Sequence, residues 1–164
     1  MRRRSKSEHY FHMVWATAGR RQLITKAVEE RVYRCIGSEI VKLSGAVIAI
    51  GGMPDHVHLL ASLPAKVSIS EVMQKVKGVS STLIRKELAP HSDFRWQDNY
   101  GSFTISRSHI ARVQKYINNQ EEHHRSGTLW LEWEETDEES PTRASQETSP
   151  SRAQAGVGTR EPDR

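Results

Sequence analysis

The chain carries one cysteine, Cys35, among 164 residues. That excludes an internal disulfide framework and any zinc site built from paired thiolates, and it fits a reducing compartment. It has no run of about 20 apolar residues, the length a membrane-crossing helix needs. The basic start Arg2-Arg3-Arg4-Ser5-Lys6 is followed by a stretch that His9, His12 and Arg20 interrupt, so no secretory signal is expected. Hydrophobic residues are scarce, at 36%, and the shortage lies at one end. From Thr136 to Arg164 the apolar residues are Ala144, Ala153, Ala155 and Val157. Such a segment cannot offset its chain entropy, which predicts a disordered tail over 136–164. Together these absences predict a cytoplasmic protein with one folded domain and no membrane partner.

Charge is divided along the same line. Residues 1–125 hold 20 Lys and Arg against 11 Asp and Glu, a net of +9, whereas residues 126–164 hold 4 against 9, a net of −5. All 8 histidines fall in the basic part. A basic domain with an acidic tail suits a polyanion such as nucleic acid, with the tail competing for the same surface. The arm at residues 1–8 adds nonspecific phosphate affinity through Arg2, Arg3, Arg4 and Lys6.

Tyr10 to Thr17 has the aromatic and β-branched content of a strand. Thr25 is placed to cap a helix with apolar residues Val28, Val32, Ile36 and Ile40, closed by Gly45. Ala46 to Ile50 reads as a buried strand, Gly51 to Asp55 as a turn, and Val57 to Leu63 as the hairpin partner. Ser68 and Glu71 make a capping-box pattern for a helix with the stripe Val72, Val76, Val79 and Leu83, which Pro90 ends. Phe103 to Ser106 is the last strand. Ser108 caps a third helix with Ile110, Val113 and Ile117 toward the core and Tyr116, Gln120 and His124 in line on another face. The order β-α-β-β-α-β predicts an α+β, ferredoxin-like split βαβ sheet with an added C-terminal helix.

Two places carry chemistry. In Met53-Pro54-Asp55-His56-Val57-His58-Leu59-Leu60, strand alternation aims both imidazoles at one point while Val57 faces the opposite layer. In Tyr116-Ile117-Asn118-Asn119-Gln120, the amide lies one helical turn beyond the phenol. Spacing alone leaves the bland readings open, a hairpin with two half-exposed histidines and an amphipathic tyrosine. Asp55 reads as a turn residue or as an acceptor that orients an imidazole. His123 and His124 point about 100° apart on a helix and cannot chelate together, so exposure or contact with DNA is expected. Trp15 and Trp96 are expected in the core or at its rim, and Ser80 and Ser81 in helix packing or at a phosphate.

These segments resemble the HUH superfamily, specifically the single-tyrosine transposases (TnpA class) of small bacterial insertion sequences, with REP-associated tyrosine transposases as close relatives. The likeness runs from about His9 to Arg125. It includes His12-Met13-Val14-Trp15-Ala16-Thr17, Gly19-Arg20-Arg21, Lys77-Gly78-Val79-Ser80-Ser81 and the run from Trp96 to Ser106. The resemblance implies a catalytic domain over 9–126, with Tyr116 as nucleophile and His56, His58 and Gln120 as ligands of a divalent metal, Mg²⁺ or Mn²⁺. No nucleotide cofactor is implied. The expected reaction cuts and rejoins single-stranded DNA through a 5′-phosphotyrosine link. The resemblance also implies recognition of DNA hairpins and a homodimer, with the tyrosine helix completing either its own subunit's His site or the other subunit's. Arg20, Arg21, Lys75, Lys77 and Arg85 are the candidate DNA contacts. Such a protein is nucleoid-associated when bound to DNA.

The chain departs from the family after Arg125, where a short amphipathic segment over 127–135 gives way to low-complexity sequence. Two rival functions share the architecture. One is a noncatalytic nucleic-acid-binding module, since the same architecture supports RNA-binding sheets, though their aromatic strand signature is absent here. The other is a domesticated relative that cuts repetitive hairpins without moving an element.

Overall fold

The computed structural model describes residues 7–90 and 92–130. The expected arm at 1–8, except Ser7 and Glu8, and the expected tail at 136–164 lie outside the described residues, as does most of the 127–135 segment. The elements are β1 (Tyr10–Ala16), α1 (Lys26–Lys42), β2 (Ala46–Met53), β3 (His56–Ser62), α2 (Ile69–Leu83), β4 (Gly101–Thr104), α3 (Ile110–Asn118) and α4 (Gln120–Ser126). They form one four-stranded antiparallel sheet in the order β2-β3-β1-β4. This is the split βαβ arrangement the pattern predicts, with β3 and β1 at its centre.

Alternation along β1 and β3 separates two layers of packing. Trp15 is opposite Val57 and Met13 opposite Leu59, and these four join the larger core with Val32, Ile36 and Ile40 of α1 and Val72, Met73 and Val76 of α2. On the other face Ala16 is opposite His56, Val14 opposite His58 and His12 opposite Leu60. There α3 closes a smaller core of Ala49, Leu60, Val113, Tyr116 and Ile117. Both faces are covered, which is why six of the seven β3 residues are buried.

Several boundaries depart from the sequence reading. Thr25 precedes α1, but its side chain makes no capping bond; its carbonyl accepts from the Val28 and Glu29 amides. Ser68 does cap α2, accepting from the Glu71 amide at 3.1 Å. Val79 is exposed while Ser80 is buried. The stripe shifts because Ser80 Oγ donates to the Val76 carbonyl and accepts from Trp96 Nε1 at 3.0 Å, so the hydroxyl enters the core already bonded. The helical path continues past Leu83 in a wider turn, Ile84–Leu88. β4 starts at Gly101, two residues before the expected Phe103, because its partner is Val14 of β1. The third helix enters through a tight turn at Arg107–His109 in place of a direct Ser108 cap.

The largest correction concerns Gly51 and Gly52. They are strand residues, and the turn shrinks to Pro54 and Asp55. A Cβ on Gly51 would meet the Ile117 carbonyl oxygen at 2.7 Å, and one on Gly52 the His56 carbonyl oxygen at 2.1 Å. The first contact lets α3 lie against the sheet, one residue beyond Tyr116. The second lets the hairpin close beside His56. Gly51→Ala is therefore expected to push α3 off β2 and cost about 1–3 kcal/mol, the usual range for overpacking. A thermal melt checks this, and an unchanged midpoint would show that the helix seat is slack.

Candidate active site

β3 supplies the imidazoles. His56 and His58 are both fully buried, their rings 5.0 Å apart and nearly perpendicular. Asp55, at the turn, holds the first: its Oδ1 lies 2.7 Å from His56 Nδ1. Burial pushes the Asp55 carboxyl up, but the hydrogen bond from the His56 ring and the nearby Arg20 guanidinium outweigh it, so the group titrates below its ordinary value. A carboxylate accepts and cannot donate, so the proton of that pair is on His56 Nδ1. His58 is held at the same ring position, its Nδ1 lying 2.9 Å from His12 Nε2.

The other two groups come from the helices above. Tyr116 is 2% exposed and its ring stands edge-on to His58, 5.9 Å between centroids. Gln120, also 2% exposed, places Oε1 3.4 Å from His56 Nε2. In a neutral His56 protonated at Nδ1, Nε2 is a lone pair facing a carbonyl oxygen, and two acceptors so placed call for a proton or a cation between them. Gln120 Nε2 is buried with no hydrogen-bond partner among the described residues. The donor set therefore fits a divalent cation held by two imidazoles and an amide oxygen. No cluster of three His, Cys, Asp or Glu side chains with metal-holding geometry occurs among the described residues, so such a set depends on Gln120. A single chain brings all four predicted residues together.

They do not sit on one helix, however. The helix breaks at Asn119, with φ −111° and ψ 25°, leaving Tyr116 on α3 and Gln120 on α4. The break also turns His123 and His124 inward. His123 stacks on Tyr116 at 4.8 Å, and the His124 ring lies 5.1 Å from that of His56. Of the two expectations for this pair, simple exposure is corrected, since both are half-buried and flank the site, while contact with DNA is not contradicted. On its other face Tyr116 is stacked by Trp130 at 4.7 Å and 13°, and the Trp130 amide donates to the phenol oxygen at 3.3 Å. Arg112 lies over Trp130, 4.5 Å from the ring centre. Beside Gln120 a cleft of about 940 Å³ opens between Lys26, Gly51, Pro54 and Asn118.

The five expected DNA contacts are dispersed. Lys75 and Arg85 project from α2 and its terminal turn, on the layer opposite the imidazoles, where Lys75 pairs with Glu71. Arg20 pairs with Asp55, and Arg21 with Asp93. Lys77 donates to the carbonyls of Gln97, Asp98 and Asn99 at 2.8, 3.1 and 2.9 Å. Burial pushes its ammonium down to about 8, against the pull of Asp98. Exposed cations on the site's own layer include Arg112 and Lys115 of α3 and Arg125 of α4, and the sequence reading passed over the first two because they belong to no motif. Trp15 and Trp96 are core residues in edge contact at 5.9 Å, as expected.

Comparison with known proteins converges on one group. The family model described as "Transposase IS200 like" matches residues 5–120, a span that ends on Gln120. The ISDra2 transposase TnpA of Deinococcus radiodurans is 26% identical over 118 residues, covering 67% of this chain and 82% of the relative. The IS200 transposase of Salmonella typhimurium is 29% identical over 127 residues, covering 71% of this chain and 80% of the relative. A solved Deinococcus radiodurans chain described as a candidate transposase superposes with a TM-score of 0.59 at 25% identity, over 73% of this chain and 96% of that one. A REP-associated tyrosine transposase, solved bound to a REP hairpin, gives 0.56 at 14% identity over 79% of this chain and 75% of that one, a likeness of fold. With the family model spanning well over half its length, this chain belongs to the IS200-like transposases.

Proposed function

We propose that this transposase cuts and rejoins single-stranded DNA at insertion-sequence ends, with Tyr116 as nucleophile and a divalent cation at His56, His58 and Gln120. The observation that carries the reading is the meeting of these four side chains, drawn from β3, α3 and α4, in one buried cluster. A phenol has an ordinary pKa near ~10, so it needs help to attack at neutral pH. When bound, Mg²⁺ or Mn²⁺ would polarise the scissile phosphate and favour the phenolate.

The chain's own groups do the rest. The Tyr116 oxygen bonds to phosphorus as its proton leaves, the bond from phosphorus to the 3′-oxygen breaks, and that oxygen takes up a proton to become a free 3′-hydroxyl. The product is a 5′-phosphotyrosine, a diester like the bond it replaced, so the reverse attack by a hydroxyl rejoins DNA without ATP. Asp55 and the backbone of β3 hold the imidazoles in place, and the stacked rings of His123 and Trp130 fix the phenol. Hairpin-bearing ends as substrate and a homodimer as the working form belong to the same proposal. The transposase relatives and the net +9 of residues 1–125 support a DNA partner.

Tyr116→Phe keeps the ring and loses the hydroxyl, so folded, DNA-binding protein without a covalent adduct is expected. Denaturing electrophoresis after incubation with hairpin-bearing single-stranded DNA and Mn²⁺ reads this directly; an adduct at normal yield removes Tyr116 from the role. His56→Ala or His58→Ala should lower cleavage more than about 100-fold, beyond what loss of an outer partner gives. Cleavage that continues in EDTA would rule out the cation.

Placement on the site's layer also ranks the cations. Arg112→Ala and Lys115→Ala are each expected to weaken binding of single-stranded DNA and to reduce the slope of log affinity against log salt by roughly 0.7 per lost phosphate contact. Lys75→Ala and Arg85→Ala should change that slope less. Fluorescence anisotropy across a salt series checks the order, and the reverse ranking would put the DNA on the α2 side.

A further inference from the structure

The imidazole of His12 has no part in the reading above, yet it occupies a costly place. It is fully buried in a central strand, opposite Leu60 on one side and Phe103 on the other. An apolar side chain would satisfy that position by packing alone. Its Nε2 lies 2.9 Å from His58 Nδ1, and the two rings are stacked 5.1 Å apart at 17°. His12 and His58 are diagonal neighbours across β1 and β3, since His58 is opposite Val14, and a diagonal pair is within reach of ring side chains.

Tautomer logic assigns the proton in this pair. With His58 Nδ1 engaged by His12, the ring nitrogen left for a cation is Nε2. A neutral imidazole that offers Nε2 as a lone pair carries its proton on Nδ1. His58 Nδ1–H then donates to His12 Nε2, and His12 holds its own proton on Nδ1. The same logic governs the neighbouring ring, where the Asp55 carboxylate accepts a hydrogen bond from His56 Nδ1–H. Two imidazoles, two residues apart on one strand, are thus locked at the same ring atom by different acceptors, one anionic and one neutral.

We propose that His12 is a positioning residue for His58, fixing the Nδ1–H tautomer so that Nε2 faces the cation, as Asp55 does for His56. This rests on the cation reading given under the proposed function. His12 touches neither DNA nor the reacting phosphorus; it acts through His58.

The test uses the full-length protein with His12→Leu, which fills the space without an acceptor, and His12→Gln, which restores one. Long-range ¹⁵N–¹H correlation spectra of metal-free protein read the His58 tautomer, and calorimetric titration with MnCl₂ reads cation affinity. Wild type is expected to show the His58 proton on Nδ1. His12→Leu should move it toward Nε2 and weaken Mn²⁺ binding by roughly 10–100-fold, the usual effect of removing an outer partner. His12→Gln should return affinity to within about threefold of wild type.

A His58 proton on Nε2 in wild type overturns the proposal, as does a folded His12→Leu that keeps wild-type tautomer and affinity. Should His12→Leu fail to fold by circular dichroism, the wild-type tautomer and the His12→Gln titration decide. If wild type takes no Mn²⁺, the cation reading fails by itself, while the His58 tautomer in wild type and His12→Gln still judges His12.

Discussion

Pairing between β1 and β3 fixes everything else about the site. The register that puts Ala16 opposite His56 also puts Trp15 opposite Val57, so the large core and the imidazole face are set by the same hydrogen-bond ladder. A slip of one residue would drive His56 and His58 into the layer of α1 and α2 and expose Val57 and Leu59 to the tyrosine helix. The apolar side resists such a slip, because Met13, Trp15, Val57 and Leu59 are all fully buried in that core. Hydrophobic packing on one face thereby holds polar chemistry in place on the other.

What the site does with buried polar groups follows from this. Imidazole, amide and phenol are all hidden from solvent, and each costs free energy there unless a partner takes its hydrogen bonds. Asp55 serves His56, His12 serves His58, and the Trp130 amide serves Tyr116. These contacts hold the rings at set angles. The domain's positive charge plays a different part. Much of it lies in exposed ion pairs, such as Lys26 with Glu29 and Arg31 with Glu87, which contribute little to stability.

The sequence made the local half of this legible. Strand alternation predicts that His56 and His58 share a face with Val57 behind them, and the capping pattern places Ser68. The βαββαβ order predicts the sheet. What it missed is long-range or depends on one backbone angle. His12 is 46 residues from the ring it holds, and although it opens a segment that carries the family resemblance, nothing in that segment assigns it a partner. The inward turn of His123 and His124 depends on the break at Asn119, which a continuous 3.6-residue period does not anticipate. Gly51 and Gly52 read as turn residues because glycine favours turns. Their reason for being glycine is the approach of Ile117 and the His56 carbonyl, visible only once the chain is folded.

The break at Asn119 divides the site between two bodies of unequal attachment. α3 lies against β2 at Gly51 and adds Val113, Tyr116 and Ile117 to a core. α4 is seven residues long, buries only Gln120, and reaches α1 through the exposed pair Lys26 and Glu121. The stretch that follows α4 carries Trp130 back over the phenol. The Gln120 amide beside His56 and the indole over Tyr116 are thus both carried by the segment beyond Asn119, which is held to the rest of the domain by few buried side chains. The phenol itself is seated on the sheet through α3, with Val113 and Ile117 beside it.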